Sequence, residues 1–395
     1  MRVLHVIPTY LPARRYGGPV FATHALCAAL AAQGCEVTVA TTSVDGAGDS
    51  DVPVDTVVAM DGVRIRYFRS PYLRRVYFSP NMASMLNEEC GRFDLLHLHS
   101  VFLWPTWAAA RRARRAHVPY ILSPRGMLVK ELIERKSPWA KWTWIALIER
   151  ANIERAAAIH VTSTPEAAAL RQFGFTLPAI HEVANGVTAS EPGAEPVEVP
   201  GAIVNLLASA RPVVLYLGRI NWKKGLDRLI PAMAHLPEAS LLVVGNDEED
   251  YTASLNACAV REGVADRVVF AGPLYGAAKA ELFRRVAVLA LPSYSENFGN
   301  VVLEAMSEGC AVVVTPEVGA AGIVTEAGGG LVARGDPLSF AAAIRQLLAD
   351  PARRADHGRR GRDAMRARYS WDAVAARMME VYRSLLAAHH DCRKT

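Results

Sequence analysis

Two charged pairs in the second half of the chain have the residue types and spacing for chemistry on a phosphorylated substrate. The first lies in Pro292-Ser-Tyr-Ser-Glu296-Asn-Phe-Gly299-Asn300-Val-Val-Leu-Glu304. An apolar strand ends at Leu291, and a helix is expected to begin near Phe298. The first turn of a helix carries N–H groups without intrahelical partners and the positive end of the helix dipole. Gly299 has no side chain to hold an anion away from the backbone, so this turn reads as a phosphate site. Glu304 follows about 7–8 Å further along the axis, at 1.5 Å per residue, with its side chain leaning back toward the turn. A nucleotide with its phosphate at the turn would offer ribose hydroxyls to Glu304. Glu296 stays in the loop, where a sugar would sit.

The second pair lies in Leu217-Gly218-Arg219-Ile-Asn-Trp-Lys223-Lys224-Gly225, after the first strand of the same half. By the parallel-sheet rule this loop shares the carboxyl rim with Glu296. Two cations there can neutralise a diphosphate, the guanidinium bidentately and the ammonium as a point charge. The loop is not a G-x-x-x-x-G-K phosphate loop, because its lysine precedes the glycine. Neither half of the chain opens with G-x-G-x-x-G.

Alternating strands and helices must position these residues. Arg2–Ile7 reads as a strand, Pro8–Pro19 as a loop, Val20–Gln33 as a helix stopped at Gly34, and Cys35–Ala40 as a strand, an opening that argues for a parallel sheet. Strands follow at 63–68, 94–99, 120–123 and 158–162, with helices at 105–116 and 139–157. Asn185-Gly186 is a turn signal. The Pro-, Gly- and Glu-rich stretch Glu191–Gly201 reads as a boundary or inserted loop. The pattern then restarts with strands at 212–218, 240–245, 268–271, 286–291 and 311–315, and helices at 225–234, 251–262, 279–285 and 301–309. The basic stretch Arg353–Arg368 reads as a solvated helix, and Ser370–Ala388 as a last one. Two α/β sandwiches in tandem result.

Composition bounds the rest. At 395 residues, 51% apolar and 21% charged, the chain is globular with two or three domains. No apolar run approaches the roughly 18 residues of a membrane span, and Met1–Pro8 is too short for a secretory leader. The six cysteines, at 27, 35, 90, 258, 310 and 392, form no C-x-x-C, which fits a reducing cytoplasm. Residues 1–188 carry 21 Lys and Arg against 15 Asp and Glu, whereas residues 189–395 carry 23 against 24. The basic first half points to an anionic partner such as a phosphorylated lipid or a membrane surface. No nucleic-acid-binding module is present. The expected location is cytoplasmic, with peripheral contact at the inner membrane face.

The Arg219-x4-Lys224-Gly225 and Glu296-x7-Glu304 pairs resemble those of the retaining nucleotide-sugar glycosyltransferases of family 4, the glycosyl transferases group 1. The likeness covers nearly the whole chain. Tyr16-Gly17-Gly18-Pro19 resembles the family's N-terminal glycine loop, Asn185-Gly186-Val187 its interdomain turn, and Val269-Phe270-Ala271-Gly272 the strand before its base pocket. Gly328-Gly-Gly330-Leu331-Val332 and Tyr369-Ser370-Trp371 resemble its closing elements. The resemblance implies the GT-B fold, two Rossmann-like α/β domains facing across a cleft. Residues 1–188 would bind the acceptor and 189–370 the nucleotide sugar, with 371–395 a C-terminal helix crossing back to the first domain.

The resemblance also implies roles. Arg219 and Lys224 would hold the diphosphate leaving group, Glu304 the ribose, and Glu296 the donor sugar's hydroxyls. The amides of Gly299, Asn300 and Val301 would meet the phosphate or sugar, with Gly272 and Phe298 in the same donor-binding set. Gly17 and Gly18 would close over the diphosphate from the other domain. The family often has a histidine pair where this chain has His97 and His99. Strand alternation puts both on one face, with His99 at the carboxyl end toward the cleft. His99 joins the catalytic candidates, beside a structural reading in which the histidines bond backbone. Two histidines with no third ligand nearby do not make a metal site. Many relatives place a histidine after the next strand, where this chain reads Ser123-Pro124-Arg125-Gly126. Arg125 would act there by charge on a phosphate, since a guanidinium is no base. The Ser-Pro-Arg-Gly form resembles an exopolysaccharide-type subgroup.

The expected activity is metal-independent transfer of a hexose from a nucleotide sugar, UDP by default, to a glycan or polyprenyl-diphosphate-linked acceptor, with no cofactor beyond that co-substrate. A nucleotide-sugar epimerase and a non-catalytic sugar-nucleotide-binding subunit are the alternatives. Trp139, Lys141, Trp142 and Trp144, with the arginines at 111, 112, 114 and 115, could form a membrane-facing surface. The tryptophan spacing fits a core stripe as well, and core is the preferred reading.

Overall fold

The structure, a computed structural model, describes residues 1–135, 138–188, 200–247 and 249–392. The chain divides into two compact units. The first comprises Met1–Gly186 and the C-terminal helix Trp371–Cys392, and the second Val187–Ser370. The Pro-, Gly- and Glu-rich stretch lies, up to residue 199, outside the described residues.

The first unit is built on β1 (Arg2–Thr9), β2 (Glu36–Thr42), β5 (Val57–Met60), β6 (Val63–Phe68), β7 (Leu95–His99), β8 (Tyr120–Ser123), β9 (Ala158–Val161) and β10 (Ile180–Glu182). A short antiparallel pair, β3 (Val44–Asp45) and β4 (Gly48–Asp49), stands apart. The sheet runs β10-β9-β8-β7-β1-β2-β6-β5 and is parallel except at the edge pair β5–β6. Parallel strands covered on both faces need side chains that tolerate burial everywhere, and β1 is buried from Val3 to Thr9. Helices Pro80–Glu89, Trp104–Arg115 and Arg150–Glu154 share one core cluster on one face. Helices Gly18–Ala32 and Trp371–Cys392 cover the other, the latter through Val374, Met378 and Tyr382.

The second unit holds β11 (Val213–Leu217), β12 (Ser240–Val244), β13 (Val268–Ala271), β14 (Val288–Leu291), β15 (Ala311–Val314) and β16 (Gly330–Val332), ordered β13-β12-β11-β14-β15-β16 and parallel throughout. In each sheet the chain works outward from its first strand, then returns to that strand's other side. The order therefore reverses between β1 and β7 and again between β11 and β14. Loops leaving adjacent strands at such a reversal part in opposite directions and leave a crevice at the carboxyl ends.

The expected helix Trp139–Ala157 takes a different form. It runs Pro138–Trp144 as α-helix, Ile145–Glu149 as π-helix and Arg150–Glu154 as α-helix. The helix expected at Val20 starts at Gly18, because Gly17 at φ 69° caps it and Pro19 suits its first turn.

Candidate active site

The two charged motifs leave β11 and β14, the neighbours at the reversal of the second sheet, and the backbone joins them. Gly225, at φ 69°, lies so close to the other loop that a Cβ would sit 2.1 Å from the Pro292 carbonyl oxygen. The Tyr294 N–H donates to the Lys223 carbonyl at 2.8 Å. The Lys224 ammonium and the Glu296 carboxylate meet in an ion pair, both side chains mostly covered at 14% and 19% exposure. The Glu296 backbone is held by Glu317 and Gly319, at 3.1 and 2.9 Å. Arg219 is exposed on the same rim. Its carbonyl accepts the Tyr216 hydroxyl at 2.8 Å, and the next residue, Ile220, donates to Asn246 O at 2.7 Å.

Gly299 stands at φ 89° as the N-cap of helix Asn300–Ser307. A residue with a Cβ would meet Val318 at 3.1 Å and Glu296 at 3.3 Å. The helix thus begins at Asn300, with Asn300 and Val301 in its first turn. Phe298 differs from expectation. Its side chain is 4% exposed and packs inward, leaving only backbone at the rim, where its carbonyl accepts from Ala320 at 2.8 Å. Gly272 follows β13 in an exposed position.

Lys279, Tyr275 and Asn246, all on this rim, were not singled out from the sequence. Lys279, in helix Gly276–Arg285, pairs with Glu304 at 2.9 Å. Tyr275, four residues before it, is exposed, and its hydroxyl accepts from the Asn246 side-chain amide at 3.3 Å. Both candidate carboxylates are thus held by a lysine, Glu296 by Lys224 and Glu304 by Lys279. Only chain packing brings Lys279 there, since nothing in its own helix marks it.

The first unit's reversal is filled differently. His97 and His99 share a face of β7, and β1 alongside adds His5. Ring nitrogens of these three lie within 4.8 Å of one another. The expectation of no third histidine is therefore corrected, as is that of an open His99. His5, His97 and His99 are fully buried and His160 nearly so, on the face covered by helices 18–32 and 371–392. Burial first, then the Arg125 charge, holds His5 and His160 down to about 3, and burial depresses His97 and His99 as well.

The neutral rings form directed chains. Arg125 can only donate, so His99 Nδ1 accepts from its guanidinium at 3.2 Å. His99 Nε2–H then donates to His5 Nδ1 at 3.0 Å, leaving the His5 Nε2–H buried with no partner among the described residues. In the other chain Tyr382 donates to His97 Nδ1 at 2.6 Å, His97 Nε2–H to Ser123 Oγ at 2.7 Å, Ser123 to His160 Nδ1 at 2.8 Å, and His160 Nε2–H to Val183 O at 2.9 Å. The Nδ1 lone pair of each ring accepts a hydrogen bond, and a guanidinium adjoins the cluster. This donor set suits hydrogen bonding and does not fit a cation.

Arg125 is what these groups position. It adopts φ 56°, a left-handed conformation that costs a non-glycine residue energy. The Glu166 carboxylate stabilises this turn by accepting Gly126 N–H at 2.6 Å and Thr162 N–H at 2.8 Å. The guanidinium reaches His99 and, at 3.3 Å, the Asn185 side chain. These hydrogen-bond partners are neutral, and the nearby Glu166 carboxylate supplies the negative charge that favours the cation. A second buried carboxylate, Glu149 in the π-helix, accepts the Phe102 N–H at 2.7 Å and the Trp144 indole N–H at 2.9 Å. It braces the loop after β7, where Ser100 and Phe102 are also left-handed. Gly17 and Gly18 sit at the start of helix Gly18–Ala32, after β1. Among the described residues, no atom beyond its chain neighbours lies within 4 Å of a Cβ built on Gly17.

Two parallel-sheet units in tandem, the second with paired charged loops at the reversal of its strand order, define a protein of the GT-B class. Residues 17–186 match the family model of the glycosyl transferase 4-like domain, and residues 203–364 that of the glycosyl transferases group 1. The D-inositol 3-phosphate glycosyltransferase of Stackebrandtia nassauensis is 32% identical over 316 residues, 74% of this chain and 68% of that protein. The chain spans 56% of a like-named relative from Xylanimonas cellulosilytica, at 36% identity. The structure of sucrose-phosphate synthase from Thermosynechococcus elongatus matches with a TM-score of 0.74 at 24% identity, covering 98% of this chain and 100% of that one. Anabaena HepE in complex with UDP and glucose matches with 0.71 at 19%, covering 97% and 100%. The chain belongs to the family 4 glycosyltransferases of the GT-B fold.

Proposed function

We propose that the protein is a retaining glycosyltransferase that moves a hexose from a UDP-sugar to a glycan or lipid-linked glycan acceptor. The observation that carries this reading is the Lys224–Glu296 ion pair, which ties the two charged loops together beside the helix that Gly299 caps. Breaking the glycosidic bond of a nucleotide sugar puts negative charge on the departing diphosphate. Fixed cations aimed at that charge are the main catalytic lever in such a site. In this reading Arg219 and Lys224 take the diphosphate, and Lys224 leaves Glu296 as it does so. The freed carboxylate turns to the sugar hydroxyls, and Glu304 exchanges Lys279 for the ribose. Lysine and arginine supply what a divalent cation would otherwise supply, so transfer should persist in EDTA. The UDP complex of HepE supports the choice of base. The inositol-phosphate relatives support an acceptor that carries phosphate, which Arg125 would meet from the first unit.

Thermal stabilisation by a panel of nucleotide diphosphates and nucleotide sugars tests the donor half. Stabilisation by UDP and UDP-sugars, lost in Glu304→Ala, is expected. Preference for another base would replace the UDP assignment, and absence of any shift would sink the donor site.

A further inference from the structure

The outward side of the helices that cover one face of the first sheet, the rod 138–154 among them, is an unusual surface. Trp139 is 87% exposed, Leu147 75% and Trp142 37%, which overturns the core reading for Trp139 and Trp142, whereas Trp144 is half-buried with its indole N–H on Glu149. The opposite side of the rod is buried at Ile145, Glu149, Asn152 and Ile153. The tryptophan spacing fits either face of a helix, and packing chose Ile145 for the inside. Large apolar side chains left together in water mark a surface meant to be covered.

The neighbouring helix Trp104–Arg115 contributes cations. Its Arg111 guanidinium lies 5.7 Å from the centre of the Trp107 ring. Between this helix and helix Pro80–Glu89 lies a cavity of about 340 Å³, walled by Phe78, Trp104 and Trp107 and edged by Arg111, Arg112 and Arg115. Among the described residues no carboxylate lines it. Residues 101–150 hold ten Lys and Arg against three Asp and Glu, and one of the three, Glu149, is buried. That stretch accounts for the entire positive excess of the first half of the chain. No helix among the described residues is long and apolar enough to cross a membrane.

We propose that this face seats the protein on an anionic lipid bilayer. Trp139, Trp142 and Leu147 enter the zone between headgroups and acyl chains, where tryptophan places its ring in the apolar layer and its N–H toward water. Arg111, Arg112 and Arg115 hold lipid phosphates, with the cavity receiving a headgroup. Charge decides the occupant. A second copy of the chain would oppose two strongly basic faces, whereas an anionic leaflet attracts each added Lys or Arg by about 1 kcal/mol. The inference deepens the lipid-linked acceptor of the proposed function, but lipid binding is measured without acceptor or donor.

The full chain is sedimented with phosphatidylcholine vesicles, with and without about one-third phosphatidylglycerol, at about 0.05 and 0.5 M salt. Binding to the anionic vesicles alone is expected, weakened roughly tenfold by the higher salt. A Trp139→Ser, Leu147→Ser double variant should bind roughly tenfold more weakly at either salt. Arg111→Glu with Arg115→Glu should remove the salt-sensitive part. Each variant is checked for an unchanged thermal shift with UDP, so that lost binding is not lost folding. A wild type that responds to UDP but does not pellet overturns the surface and leaves the transferase reading standing. One that pellets without responding to UDP does the reverse. Vesicle binding that both variants retain, or a dimer in sedimentation velocity that Trp139→Ser disperses, overturns the surface.

Discussion

Both sheets reverse their strand order beside their first strand, yet the two reversals hold opposite chemistries. Between β11 and β14 the side chains are charged, partly exposed and joined as Lys224–Glu296 and Lys279–Glu304. Between β1 and β7 they are neutral imidazoles, fully buried and bonded end to end, with one guanidinium at the edge. Neither pair is fully enclosed, at 14% and 19% exposure for Lys224 and Glu296 and 26% and 33% for Lys279 and Glu304, so an arriving anion can compete for each lysine. A buried network loses the desolvation energy of any group it strands, so it keeps one geometry. The second unit is thus built to exchange a lysine's partner for an arriving phosphate, and the first to hold one cation still.

The contrast predicts unequal sensitivity to mutation. Lys224→Ala removes a cation from the departing diphosphate and should lower kcat roughly 10²–10³-fold, with little change in melting temperature. Arg125→Ala should act on the acceptor side, raising the acceptor KM while nucleotide affinity stays within about twofold. An equal loss of kcat in both variants would erase the distinction drawn between the two reversals. Glu304→Ala removes a charged hydrogen-bond acceptor of about 1.5–3 kcal/mol and should weaken UDP binding roughly 10- to 100-fold, read by calorimetry. Unchanged UDP affinity would take the ribose away from Glu304.

The backbone repeats the comparison at smaller amplitude. Gly225→Ala meets both a left-handed φ and the Pro292 carbonyl, while Gly17→Ala meets the left-handed φ with nothing within 4 Å. The first should cost about 2–3 kcal/mol and the second about 1, compared by urea unfolding. Equal costs would mean that the two charged loops are not wedged together.

The same contrast decided what could be read before folding. The second site was legible because its pieces are contiguous. Residues 217–225 and 291–304 each contain strand end, glycine and charged groups within one turn of chain. Lys279 was not legible, since a lone lysine in an amphipathic helix looks like any solvated one until packing sets it against Glu304. The first site comes from β1, β7, β8, β9 and the C-terminal helix. Apolar alternation located those strands, but not the order that seats His5 of β1 against His97 of β7. His99 was read as open because strand alternation gives a face and not what covers it. Tyr382 lies 285 residues from the histidine it bonds. The π-helical turn that orients Glu149 left no mark in the spacing of Trp139, Trp142 and Trp144 either.

The smallest effect concerns protons. In the folded chain His5 and His160 titrate near 3, far below the ordinary 6.5, because burial and the Arg125 charge oppose their protonation. His97 and His99 are depressed in the same direction. Between pH 6.5 and 3 the unfolded chain therefore binds protons that the folded chain refuses. Stability should be full above about 6.5 and fall as the pH drops through that window, by at most about 1.4 kcal/mol per pH unit for each histidine. Most carboxylates titrate lower, so the interval from pH 7 to 5 isolates the imidazoles. Thermal unfolding followed by circular dichroism should show the midpoint falling across that interval. His160→Gln can still donate to Val183 and accept from Ser123 without titrating, and should flatten the fall by about one histidine's share. A midpoint that does not move between pH 7 and 5 would mean that the imidazoles take up protons in the folded state. The neutral chains that hold Arg125 would then be the wrong description of the first unit.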